Sequence, residues 1–196
     1  MNTERDLRFD GLKFIMIFLV VLGHLGYNDY GLGINGAIYA FHMPVFIFLS
    51  GYFTSLSAHN NHKQWQWLKK TFLIYIFAQL THFLLRVSLI YGESIMQSKS
   101  FNLSVFSWKV FVSPELALWY LICLIYWRIA IWKVFNKVYD ITLLIFSIVL
   151  LVIGGIIPID HNFAFQRALS FFPFFALGIV FKKRNLIDRL QCIHCQ

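Results

Sequence analysis

The segment RDLRFDGLKFIMIFLVVLGH, Arg5 to His24, sets Asp10, Lys13 and His24 into an apolar run. Asp10 and Lys13 stand at i,i+3, and Lys13 and His24 at i,i+11. On a helix those spacings put all three on one stripe. At 1.5 Å per residue, Lys13 and His24 are roughly 16 Å apart along the axis, about half the thickness of a hydrocarbon core. An ionisable group at such depth is costly, which makes it a functional candidate by default. A neutral imidazole, with a reference pKa of about 6.5, can take a proton from a poor nucleophile or act as a nucleophile itself. An ammonium can hold an anionic ligand. A second segment, YAFHMPVFIFLSGYF, Tyr39 to Phe53, places His42 in another apolar run, followed by Pro44 and by Ser50-Gly51. Farther on, His82 and Arg86 stand at i,i+4, Trp119 and Tyr120 open a later run, and Gln166-Arg167 opens the last.

Each of these has a plainer reading. Lys13 and Arg128 can snorkel to the inner interface, and for Arg128 that reading is preferred. Arg86 and Arg167 can do the same at the outer one. His82 reads as a hydrogen bonder between helices rather than a catalyst, and Pro44 and Gly51 as determinants of helix shape. His24 has the weakest such alternative.

The elements that must position these groups follow from composition. Of 196 residues, 59% are hydrophobic and 13% charged, against roughly half and a quarter in soluble domains. The chain is therefore an integral membrane protein, all-α, a polytopic bundle of about six transmembrane helices. The spans run from about Phe9 to Tyr27, Ala37 to Leu56, Thr71 to Tyr91, Glu115 to Trp132, Ile141 to Ile157 and Arg167 to Phe181. The runs are continuous rather than alternating, which excludes a closed barrel. Lys and Arg gather before the first span, in the second and fourth loops and after the last span, so both termini are cytoplasmic. Residues 1–196 form a single membrane domain, with 182–196 a polar cytoplasmic tail. The net charge of +8 is thus an orientation signal and not one for nucleic acid. Cys123 is a small buried hydrophobe, and the lone C-x-x-C of Cys192 and Cys195 is read as tail.

RDLRFDGLKFIMIFLVVLGH and YAFHMPVFIFLSGYF resemble the first two signatures of the acyltransferase 3 membrane family, in the branch of sugar O-acetylases related to fucose 4-O-acetylase. ALWYL, Ala117 to Leu121, and RALSFFPFFALG, Arg167 to Gly178, resemble later blocks. The resemblance runs to about Lys183 and implies transfer of an acyl group, most often acetyl, from acetyl-CoA or another acyl-CoA. The acceptor it implies is a hydroxyl of a cell-surface or lipid-linked saccharide. It makes His24 the catalytic base or acyl carrier and puts Lys13 with Asp10 on the acyl-donor side. His42, Arg167 and Trp119 then position the acceptor or stabilise the oxyanion. It implies no metal, membrane lipids and a glycan as partners, and a bacterial inner membrane location. Members of the family have about ten spans, so a chain of six reads as truncated and, in one alternative, as an inactive paralogue. A non-enzymatic transporter is the other alternative, but repeat symmetry and paired broken helices are not evident. A zinc or iron site on His24, His42 and His82 is a third, weakened by the lack of an i,i+3 or i,i+4 His–carboxylate ligand pair.

Overall fold

The computed structural model describes residues 7–24, 31–54, 61–96, 114, 118–135, 139–156 and 164–186. Among these the regular elements are all helical: α1 Leu7–His24, α2 Gly31–Tyr52, α3 Asn61–Met96, α4 Trp119–Ala130, α5 Asp140–Ile156 and α6 Phe165–Lys183. A π-helical turn, Ile131–Phe135, continues α4. Glu115, Cys192 and Cys195 lie outside the described residues, as does the tail from residue 187.

Most boundaries fall near those read from hydropathy, but α3 begins at Asn61 rather than Thr71 and runs to Met96 rather than Tyr91. The stretch NHKQWQWLKK contains neither Gly nor Pro. Its charge keeps it out of the hydrocarbon, yet nothing in it breaks a helix. Hydropathy marks the membrane-spanning part of α3, whereas the helix continues beyond it.

The pattern of burial on α3 is the reverse of that in a soluble protein. Its buried side chains are Gln64, Leu68, Thr71, Tyr75 and Gln79. Phe77, at 73% exposure, Leu84 and Leu89 face outward. α1 and α5 also turn large apolar residues outward, among them Phe14, Phe18, Ile141 and Ile148. An apolar exterior of this extent suits lipid and not water. α3 and α6 are each long and apolar enough to cross a bilayer. Ser50 and Thr81 within the helices, and Thr54 just past α2, return their hydroxyls to backbone carbonyls four residues earlier, which satisfies them without water.

The chain divides into two compact units, one of Met1–Thr54 with Pro173–Gln196 and one of Ser55–Phe172, the boundary falling inside α6 at Pro173. In the first unit α1 packs on α2, and the end of α6 lies directly against α2. A Cβ added at Gly51 would collide with the Phe175 carbonyl, and one added at Gly178 with the Phe48 carbonyl. Small residues of this kind let two helix backbones approach closely in a membrane. Met16, Ile47, Phe175 and Ala176 of this unit are fully buried.

In the second unit α3 packs on α4, and α4 meets the start of α6. Trp127 Nε1 donates to the Ala168 carbonyl at 2.7 Å. Gln166 Nε2 donates to the Gly154 carbonyl at 3.1 Å, tying α5 to α6. Arg128 does more than snorkel. Its Nε donates to Gln64 Oε1 at 3.0 Å, and its guanidinium lies 3.9 Å from the centre of the Trp67 ring.

Candidate active site

The first unit holds four of the residues singled out by type and spacing. Asp10 and Lys13 form an ion pair on α1, at 3.9 Å. The Lys13 ammonium also stands over the Phe53 ring, 4.4 Å from its centre. Phe9 packs between Tyr52 and Phe53, with ring centres 5.1 and 5.0 Å away. The Lys182 ammonium lies 5.0 Å from the centre of the Tyr52 ring. Two lysines from opposite ends of the chain thus face two consecutive aromatic rings at the end of α2. Lys182 had entered the sequence reading only as part of the charge bias. Its place is fixed by the stop of α6, where Asn185 takes a left-handed conformation, φ 49°, and its N–H donates to the Lys182 carbonyl at 3.3 Å. Asn is one of the few residues that tolerate this turn.

His42 is 1% exposed, and its Nδ1 is 2.5 Å from the Ile38 carbonyl oxygen. A carbonyl only accepts, so Nδ1 carries the proton and Nε2 is the basic nitrogen of the neutral ring. His24 is the last residue of α1; its side chain lies outside the described set. The Phe9–Tyr52 stack gives both helices a common level. From that level His24 is roughly 22 Å along α1 and His42 roughly 15 Å along α2, at 1.5 Å per residue. Lys13 is only about 6 Å above it. Along the helix axes, positions 24 and 42 therefore lie well away from Lys13 and about 7 Å apart in depth.

The second unit holds Arg167 and Trp119. The Arg167 guanidinium stands 5.0 Å from the Trp119 ring centre, and Trp119 in turn stacks on Phe171 at 5.7 Å. Trp119 is buried and Arg167 is exposed. This places a planar cation, backed by an aromatic face, at the opening turn of α6. Cys123 is fully buried beside this pair and donates its thiol to the Ala164 carbonyl at 3.6 Å, as an inert packing group would.

Among the described residues, the buried Nδ1 of His82 has no hydrogen-bond partner.

Large apolar side chains turned outward on α1, α3 and α5, with a polar buried stripe on α3, mark a helical membrane protein. Residues 6–191 match the model of the acyltransferase domain, and the chain belongs to that family of acyl-transferring membrane enzymes. The match extends past Lys183, where the sequence resemblance had ended. The chain is also 46% identical over 61 residues to Nodulation protein NolL of Sinorhizobium fredii, a match that covers 27% of this chain and 17% of that protein. It thus spans less than a fifth of the length of this curated relative. No solved structure matches the chain.

Proposed function

We propose that the chain is an O-acyltransferase, most simply an O-acetyltransferase, that moves an acyl group from acyl-CoA to a hydroxyl of a cell-surface or lipid-linked saccharide. The observation that carries this reading is the sorting of charge by depth in the first unit. A carboxylate-paired lysine lies near the Phe9–Tyr52 level, and the imidazole-bearing positions lie well beyond it. A phosphate-rich donor needs cations, whereas a hydroxyl acceptor needs a base.

In this reading Lys13, oriented by Asp10, engages the donor phosphates. His24 takes the proton of the acceptor hydroxyl as that oxygen attacks the thioester carbonyl. The C–O bond forms, the C–S bond breaks, and the CoA thiolate leaves and recovers the proton from the imidazolium. In a two-step variant the imidazole nitrogen attacks first and carries the acyl group to the hydroxyl. His42, Arg167 and Trp119 position the acceptor or stabilise the oxyanion. Residues 1–196 act as a single membrane domain in a bacterial inner membrane, with the Lys- and Arg-rich ends cytoplasmic.

The direct test is label transfer from radioactive acetyl-CoA to glycan in membrane vesicles. His24→Ala should lower the rate at least about 100-fold at equal protein level, the usual weight of a general base. Full transfer by His24→Ala would remove the central assignment.

A further inference from the structure

The buried face of α3 is polar over a long distance and is not used by the mechanism above. Thr71, Tyr75, Gln79 and His82 follow one another at spacings of four, four and three residues, which is one helical face. Tyr75 is 4% exposed, yet among the described residues its hydroxyl has no hydrogen-bond partner. His82 Nδ1, two turns farther along, is buried in the same condition.

A buried polar atom without a partner is costly, and more so where lipid replaces water. Native structures keep few such atoms, and two on one stripe of one helix indicate a partner that binds there. The chemistry of the groups limits what that partner is. A phenol donates and accepts, and so does an imidazole across its tautomers. At these positions the stripe presents neither a carboxylate nor an ammonium, and Arg86, one turn beyond His82, is exposed, so the buried part of the stripe does not select a cation or a phosphate. The two aromatic rings add apolar faces for a ligand that is itself amphipathic. Tyr75 and His82 are roughly 10 Å apart along α3, so a ligand that meets both is extended.

We infer that Tyr75 and His82 form a subsite in the second unit for a neutral, hydroxyl-rich ligand, the saccharide acceptor. The inference rests on the acyltransferase reading for the identity of that ligand, but its test does not depend on acyl transfer.

A cysteine-free chain is made with Cys123→Ser, Cys192→Ser and Cys195→Ser. Tyr75→Cys, His82→Cys and Leu84→Cys are then introduced one at a time. Each is treated in membrane vesicles with a trimethylammonium methanethiosulfonate reagent. Leu84 lies on the outward apolar face at 65% exposure and serves as the lipid-facing control. Cysteines at 75 and 82 should react at least tenfold faster than the control. A panel of methyl glycosides of hexoses, 6-deoxyhexoses and N-acetylhexosamines should include one that slows both reactions. That protection should weaken at His82→Cys when Tyr75→Phe is added, since the ring stays and only the hydroxyl goes. Reaction no faster than the control overturns the proposal, because the stripe is then dry helix packing. Fast reaction that no glycoside slows overturns it as well, because the stripe then holds water alone. Glycoside protection of both introduced cysteines, with no acetyl transfer by the wild-type chain, defeats the enzymatic reading and leaves the subsite standing.

Discussion

The Lys13 ammonium stands 4.4 Å from the centre of the Phe53 ring, a residue that ends the second signature, while its ion pair with Asp10 is stretched to 3.9 Å. Neither partner holds the charge tightly. A long pair at a partly exposed site contributes little, and a cation–π contact there contributes about 0.5–1 kcal/mol. Lys13 is therefore held in place and still available to an incoming anion. Lys13→Gln should raise the KM for acetyl-CoA about tenfold or more, because hydrogen bonds to charged groups are each worth about 1.5–3 kcal/mol. Phe53→Leu should raise it only about two- to fivefold, the share of the ring alone. Acetyl-CoA titrations of the transfer rate check both. Unchanged KM in Lys13→Gln would take the lysine off the donor side.

The crossing of α2 with the end of α6 predicts a sharp contrast among glycines. At Gly51 and Gly178 an added methyl meets backbone carbonyls, which cannot turn aside as a side chain can. Gly51→Ala and Gly178→Ala should each destabilise by about 1–3 kcal/mol or more, the range for overpacking. Gly11 and Gly155 have nothing within 4 Å of an added Cβ. There Ala should be neutral or stabilising by up to about 1 kcal/mol, its advantage over Gly in a helix. Thermal unfolding of the detergent-purified variants distinguishes the two pairs. Equal Tm values across the four would show that the close approach is relaxed in the folded protein.

How much of this was legible in the sequence depends on whether the cause was local. Six helices and their approximate limits follow from runs of apolar residues, because a bilayer imposes a length. The pairing of Asp10 with Lys13 follows from helical spacing alone. The polar extension of α3 was missed because hydropathy reports the medium and not the backbone. Lys182 was missed for another reason: Tyr52 lies 130 positions away in the chain, and only tertiary packing brings the two together. Pro44 and Gly51 had one shared reading, helix shape. The structure separates them, since Gly51 is required by the Phe175 backbone while Pro44 lies inside a helix that continues past it.

The Nδ1 contact of His42 with the Ile38 carbonyl makes its substitutions informative. Asn can reproduce the Nδ1–H donor but has nothing at the place of Nε2. Gln reaches toward Nε2 but gives up the backbone bond. If His42 acts on the acceptor through Nε2, His42→Asn should lower kcat/KM for the acceptor about tenfold or more with little change in Tm. His42→Gln should retain more activity and be the less stable of the two, by the roughly 0.5–1.5 kcal/mol of one hydrogen bond. The pair is checked by acceptor kinetics alongside thermal unfolding. Equal activity in the two variants would assign His42 to packing.

Arg128 supplies the last prediction. Its Nε is bonded to buried Gln64 and its plane rests on Trp67, so its guanidinium joins α3 to α4 by geometry as well as charge. Among the described residues it makes no ion pair, and Gln64 and Trp67 are what hold it. Arg128→Ala should cost about 2–4 kcal/mol, the sum of a charged hydrogen bond and a partly desolvated cation–π contact. Arg128→Lys should recover less than half of that, since an ammonium lacks the planar fork that meets an amide and a ring together. In a double-mutant cycle, Trp67→Ala should cost far less in the Arg128→Ala background than in the wild type, because the two residues share one contact. Chemical unfolding in mixed micelles measures all four species. Additive losses would mean that Arg128 merely reaches the inner interface, as its sequence position alone suggests.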